Sequence, residues 1–152
     1  MATMPQESMG QQDTRGAVAR HLTLLGHGTP RVLIVDDEPS ITRALAIACA
    51  RAALDVLSTT SADEAHRLLQ REHVDVLLVD LRMPEMRGDV LYHLATSIQP
   101  HLRRQTLFVT GDISPRAQEL IAACGTPFLR KPFELADVLQ AVRALAPVAL
   151  TA

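Results

Sequence analysis

Four stretches of the sequence end an apolar run on residues that could do chemistry. VLIVDDEPS ends on Asp36, Asp37 and Glu38, LLVDLRMPEMRG on Asp80, LFVTGD on Thr110, and FLRKPF on Lys131. A single aspartate after an apolar run commonly caps a turn or a helix. Four polar features closing four separate runs are hard to explain that way, because caps have no reason to converge. If the fold gathers them, Asp36, Asp37 and Asp80 share a small volume, and like charges that close repel unless a cation sits among them. A hard divalent ion with oxygen ligands relieves that repulsion, and Mg²⁺ suits a site of few carboxylates plus water. Lys131 adds a mobile positive charge. A cation and an ammonium around one carboxylate create a place for an incoming phosphoryl group, whose charge both stabilise.

Something must bring these residues together. Apolar runs recur at 32–35, 56–57, 74–79, 107–109 and 128–129, and the stretches between them carry helical spacing. Ile41, Ala44, Leu45 and Ala48 fall on one face, as do Leu91, Leu94, Ala95 and Ile98; Leu135, Val138, Leu139, Val142 and Leu145 make the strongest stripe. Ser61 with Glu64 has the form of a capping box, Pro39 and Pro115 suit a first helical turn, and Gly125 suits a helix end. Five strands alternating with five helices predict an α/β fold with helices on both faces of a parallel sheet, in the flavodoxin-like order 2-1-3-4-5. The second and fifth runs are short, as edge strands tend to be. In such sheets ligands bind beyond the carboxyl ends of the strands, beside strands 1 and 3 where the winding reverses. All four polar clusters fall at that edge.

The 152 residues suffice for one domain, and a hydrophobic fraction of 47% allows a sizeable core. We place the domain at 30–147, with a flexible N-terminal tail at 1–29 and a C-terminal tail at 148–152. A net charge of −2 provides no electrostatic footprint for nucleic acid and no basic belt for anionic lipid. No apolar stretch is long enough for a membrane span, and the N-terminus lacks the order of a secretion signal. These features predict a soluble, cytoplasmic chain. Cys49 and Cys124 lie in alanine-rich helical patterns and read as small buried thiols, and neither has metal-ligand spacing around it. His66, His73, His93 and His101 read as solvated residues on helix surfaces or ends.

The motif set resembles the receiver domain of two-component response regulators, over residues 31–145. An acidic pair follows strand 1, D-x-x-M-P-x-x-x-G follows strand 3, T-G follows strand 4 and K-P-F follows strand 5, with 43 residues from Asp37 to Asp80, 30 on to Thr110 and 21 on to Lys131. The resemblance implies that Asp80 accepts a phosphoryl group from a phosphohistidine. It implies Mg²⁺ held by Asp37, Asp80 and the backbone carbonyl of Arg82, with Asp36 on a metal-bound water. Lys131 then pairs with the phosphoryl oxygens and Thr110 donates its hydroxyl to them. The implied switch is Thr110 turning inward and the aromatic on strand 5, here Phe128, following it; a fixed core role is the plainer reading of Phe128. Pro84 would fix the loop after Asp80, Gly88 would let it turn closely, and Met83 reads as a packing residue. Arg82 and Asp112 flank the path of the water that would hydrolyse the phosphate. Such a chain is a phosphoacceptor that assists its own phosphorylation and dephosphorylation, not a turnover enzyme. The implied partners are a histidine kinase or a histidine phosphotransfer protein, and a downstream protein on the face formed by helix 4, strand 5 and helix 5. The same helices could pair two copies as a homodimer.

Only seven residues follow Leu145, so we expect a stand-alone receiver without direct DNA binding. The terminal receiver of a hybrid histidine kinase is the nearby alternative, and the phrasing TGD…CGTPFLRKPF is similar to that subgroup. A Mg²⁺-dependent phosphatase of the haloacid dehalogenase type also uses a strand-end aspartate and a lysine. It needs D-x-D on strand 1, whereas here the two aspartates are adjacent and the single one follows strand 3. A nucleotide-binding module is disfavoured because the one glycine cluster, GHGTP, precedes strand 1 instead of following it.

Overall fold

A computed structural model of the chain describes residues 28–147. The two expected tails therefore lie outside the described residues, apart from Gly28 and Thr29. The strands are β1 (Arg31–Val35), β2 (Asp55–Thr59), β3 (Val76–Val79), β4 (Thr106–Thr110) and β5 (Phe128–Arg130). The helices are α1 (Pro39–Arg51), α2 (Ala62–Arg71), α3 (Gly88–Ile98), α4 (Pro115–Cys124) and α5 (Leu135–Leu145), with a 3₁₀ turn at Pro100–Arg104 that the sequence pattern does not predict. The sheet is parallel throughout, in the expected order β2-β1-β3-β4-β5.

Strand alternation sorts the core onto two faces. Leu33, Val35, Leu77, Val79 and Phe108 pack with α2, α3 and α4. Val32, Ile34, Val76, Leu78, Leu107 and Val109 pack with α1 and α5. The continuous apolar runs of β1 and β3 follow from this, since both of their faces are covered. Among the described residues no helix is long and apolar enough to cross a membrane.

Register is what places the site. Val35 lies opposite both Thr59 and Val79, so the residues after them, Asp36 and Asp80, leave the sheet side by side. Thr110 lies opposite Arg130, which puts Lys131 one step beyond Thr110 at the same edge. Helix starts follow the sequence signals with one variation. Ser61 Oγ accepts from Glu64 N at 3.2 Å, but the return half of the box runs through Thr59. Ser61 N donates to the Thr59 hydroxyl, which in turn donates to the Glu64 carboxylate. Gly125 ends α4 in the left-handed region at φ 68°, where a residue without Cβ carries no steric cost.

Two expectations change at the opposite edge of the sheet. His73 and His101 are not simply solvated. Their rings stack with centroids 5.0 Å apart, His73 Nε2 bonds the buried Asp75 carboxylate and His101 Nε2 bonds Val74 O. The 3₁₀ turn is what carries His101 into this contact. Nearby, the Gln99 amide donates to Leu69 O and Glu72 O and accepts from Val74 N. It thereby satisfies the carbonyls that the end of α2 leaves open. Gln99→Ala is expected to cost about 2 kcal/mol, the order for orphaning partly buried backbone groups, read as a lower urea midpoint. An unchanged midpoint would mean water replaces the amide without loss.

Candidate functional site

β1 and β3 bring two carboxylates to one point, and the β5–α5 connection brings an ammonium between them. Asp36 is 1% exposed and Asp80 4% exposed. Lys131 Nζ lies 2.7 Å from Asp36 Oδ2, 3.0 Å from Asp80 Oδ2 and 3.4 Å from Glu38 Oε1. The remaining oxygens are held by backbone: Asp36 Oδ1 accepts from Glu38 N, and Asp80 Oδ1 from Arg82 N. The lysine is fixed in turn by its own N–H, which donates to Thr110 O at 2.9 Å.

Electrostatics follow from burial and pairing. Burial pushes the Asp36 carboxyl above the usual range, against the opposing pull of Lys131 and the Glu38 N–H. Burial also works against charge on Lys131, but its hydrogen bonds to Asp36 and Asp80 outweigh that and raise its pKa. The ammonium is thus held charged by the carboxylates it joins.

The structure gathers most of the expected residues and shifts one of them. A crevice of about 290 Å³ at this edge is lined by Asp37, Glu38, Asp80, Arg82, Gly111, Asp112 and Lys131, with Asp36 beside it. Among the described residues, Asp36, Glu38 and Asp80 each offer a carboxylate oxygen, and these oxygens lie within 4.8 Å of one another. Asp37, expected as a metal ligand, is exposed at the rim and does not belong to that tight group. Glu38, which the motif reading passed over, belongs to it instead. The adjacent acids in D-D-E were the available signal, but strand alternation does not fix directions beyond the last strand residue.

The loop after Asp80 is closed by Gly88, whose N–H donates to Leu81 O at 2.8 Å. A Cβ on Gly88 would stand 2.2 Å from Asp80 O, so only glycine fits there. Met83 is buried as a packing residue, whereas Pro84 is exposed. Thr110 is buried, and its hydroxyl accepts from Asp112 N at 3.1 Å. Phe128 departs from the fixed-core reading. It is 48% exposed, at a cleft lined in part by Ile121, Ala122 and Thr126. Arg82 and Asp112, expected to flank the path of the hydrolytic water, pair directly: Arg82 Nε meets Asp112 Oδ2 at 3.4 Å across the crevice mouth.

Comparison with known proteins converges on one family. Residues 32–143 match the family model described as the response regulator receiver domain. The chain is 31% identical over 118 residues to the transcriptional regulatory protein GlrR of Escherichia coli K12, a match covering 78% of this chain and 26% of the relative. It is 32% identical over 116 residues to the response regulator receiver protein CpdR of Brucella abortus, covering 74% and 92% respectively. The chain thus spans between about a quarter and a half of the length of the transcriptional regulators it matches and nearly all of CpdR. The structure of chemotaxis protein CheY4 of Vibrio cholerae superposes with a TM-score of 0.71 at 27% identity, covering 78% of this chain and 99% of that one. A matched family model over most of the fold, the flavodoxin-like strand order and a buried acidic site at the carboxyl edge agree: this chain belongs to the response regulator receiver domain family of two-component signalling.

Proposed function

We propose that Asp80 is the phosphoacceptor of this domain and that its donor is a phosphohistidine on a histidine kinase or a histidine phosphotransfer protein. An Asp80 carboxylate oxygen attacks phosphorus, the P–N bond breaks with its electrons going to the imidazole, and that ring takes up a proton as it leaves. The observation that carries this reading is the Lys131 ammonium shared between buried Asp36 and Asp80, at 2.7 and 3.0 Å. It places fixed positive charge where phosphoryl oxygens would arrive, in a site partly closed to water.

The donor set fits a hard divalent cation. Asp36, Glu38 and Asp80 supply grouped carboxylate oxygens, the ligand chemistry Mg²⁺ prefers; Asp37 and the Arg82 carbonyl are further candidates from the rim. Bound there, Mg²⁺ would neutralise charge on the phosphoryl oxygens. Lys131 and the Thr110 hydroxyl would contact the same oxygens.

Signalling in the cytoplasm then requires a population shift away from the site. Thr110 is the buried link to β5, and exposed Phe128 stands beside a cleft that could receive it. The face of α4, β5 and α5 is the proposed contact for a downstream protein. The test is incubation with acetyl phosphate and Mg²⁺, followed by peptide mapping by mass spectrometry. We expect the mass of one phosphoryl group, on the peptide containing Asp80. Uptake elsewhere, or none, would overturn the assignment.

A further inference from the structure

The charged pair at the mouth of the crevice belongs to a chain of contacts that leads out of the site. Arg82 and Asp112 come from loops after different strands, β3 and β4. The Arg82 side chain is 79% exposed and reaches Asp112 Oδ2 at 3.4 Å, a long contact that is easily given up. Asp112 is held differently. Its side chain is only 16% exposed. Its other oxygen accepts from Ser114 N at 2.9 Å, and its own N–H donates to the Thr110 hydroxyl. The Ser114 backbone bond is the main reason its carboxyl lies below the usual range, so it is charged at neutral pH. Ser114 Oγ in turn accepts from Ala117 N and caps α4. Arg82, Asp112, Ser114 and the first turn of α4 are therefore linked in series, and the Thr110 hydroxyl is tied to the same turn.

Arg82 also starts close to the phosphoacceptor, since its backbone N–H donates to Asp80 Oδ1 at 3.1 Å. A phosphoryl group on Asp80 would offer the guanidinium three oxygens and about −1.5 to −2 charges, values borrowed from phosphorylated hydroxyl side chains. A carboxylate offers two oxygens and one charge. The competition favours the phosphoryl group, and the long Arg82–Asp112 contact opposes the exchange only weakly.

We infer that Arg82 is a phosphoryl-binding residue that leaves Asp112 when Asp80 is phosphorylated, and that the Arg82–Asp112 pair holds the β4–α4 turn in its unphosphorylated arrangement. This rests on Asp80 being the phosphoacceptor. The exchange gives the site a route to α4 that is separate from movement of Thr110. It also acts on the same turn as Thr110, whose hydroxyl accepts from Asp112 N.

The full chain, with Mg²⁺ and beryllofluoride as the phosphoryl mimic, provides the test through amide NMR titrations. Arg82→Gln should weaken beryllofluoride binding about fivefold, the order for one solvent-screened charge-assisted contact. Asp112→Asn should tighten it about twofold, because the competing carboxylate is gone. Without ligand, both variants should shift the Ser114 and Ala117 amides toward their positions in the beryllofluoride-bound wild type. Opposite changes in affinity with a shared resting shift distinguish a latch from local damage, which would weaken binding in both variants. Affinities that change in the same direction, or an Arg82→Gln chain that binds like wild type, would overturn the inference while leaving Asp80 as acceptor. A wild-type chain that binds no beryllofluoride at Asp80 would instead remove the acceptor reading, and this inference with it.

Discussion

Gly88→Ala is expected to destabilise the domain by about 3 kcal/mol, the upper end for forcing extra volume into a closely packed site. A Cβ at this position would stand 2.2 Å from Asp80 O and 2.9 Å from both Asp80 C and Leu81 Cα. All three are backbone atoms, so no flexible side chain can move aside. Relief must come from pushing α3 away from the loop or from displacing the Asp80 peptide. The first breaks the Gly88 N–H bond to Leu81 O. The second rotates the Asp80 carboxylate away from Lys131, so the folded fraction should also take up phosphate more slowly from acetyl phosphate. Gly111→Ala is the internal comparison. Its Cβ would meet only Lys131 Cβ, at 3.8 Å, an ordinary contact, and its urea midpoint should stay within about 0.5 kcal/mol of wild type. A Gly88→Ala chain as stable as Gly111→Ala would show that the loop after Asp80 yields easily, and that closure at Gly88 does not position the acceptor.

The contrast between these glycines shows what the sequence could express. Gly88 was legible because D-x-x-M-P-x-x-x-G fixes both ends of a short loop, and only a residue without Cβ can close it. Asp36, Asp80, Thr110 and Lys131 were legible for a related reason. Each follows an apolar run, and a parallel sheet with right-handed crossovers brings the ends of those runs to one edge. Direction within a turn was not legible. Asp36, Asp37 and Glu38 are consecutive acids, and backbone torsions beyond β1 decide that Asp36 and Glu38 join Asp80 in one tight group while Asp37 lines the crevice outside it. Phe128 was ambiguous because β5 spans only three residues, too few for alternation to reveal which face is covered. His73 and His101 were misread because their stacking depends on a 3₁₀ turn with no apolar periodicity to announce it. The Arg82–Asp112 pair joins two loops through the long Arg82 side chain, and no local pattern encodes such a meeting.

Lys131→Met should have the other large effect, and its dependence on pH and cation identifies the cause. The substitution keeps much of the side-chain volume and removes the ammonium, leaving Asp36 and Asp80 buried side by side. Losing one partner of a buried ion pair costs about 3–5 kcal/mol; the lower end applies here because the crevice admits water beside Asp80. In the wild type the Asp36 carboxyl already lies above its ordinary value of 3.8, since burial outweighs its bonds to Lys131 and to the Glu38 N–H. An acid whose folded value is raised favours folding in its neutral form. That contribution is complete below the unfolded value and is lost as pH rises through the folded one. Without Lys131, burial and the charge of Asp80 remain and the main opposing pull is gone, so the window moves upward. The variant should therefore gain stability from pH 7 to pH 5. Lys131 itself has a raised folded value, so in the wild type its contribution is complete below its ordinary 10.5 and is lost only in strong alkali. Over pH 5–7 the lysine keeps its charge, and the wild type should respond less to acid. Millimolar Mg²⁺ should also raise the variant's urea midpoint more than the wild type's, because no ammonium competes for the carboxylates and the ion stabilises whichever state binds it. A variant that loses stability on mild acidification, or that gains no more from Mg²⁺ than the wild type, would mean that Asp36 and Asp80 do not depend on Lys131 for their charge balance.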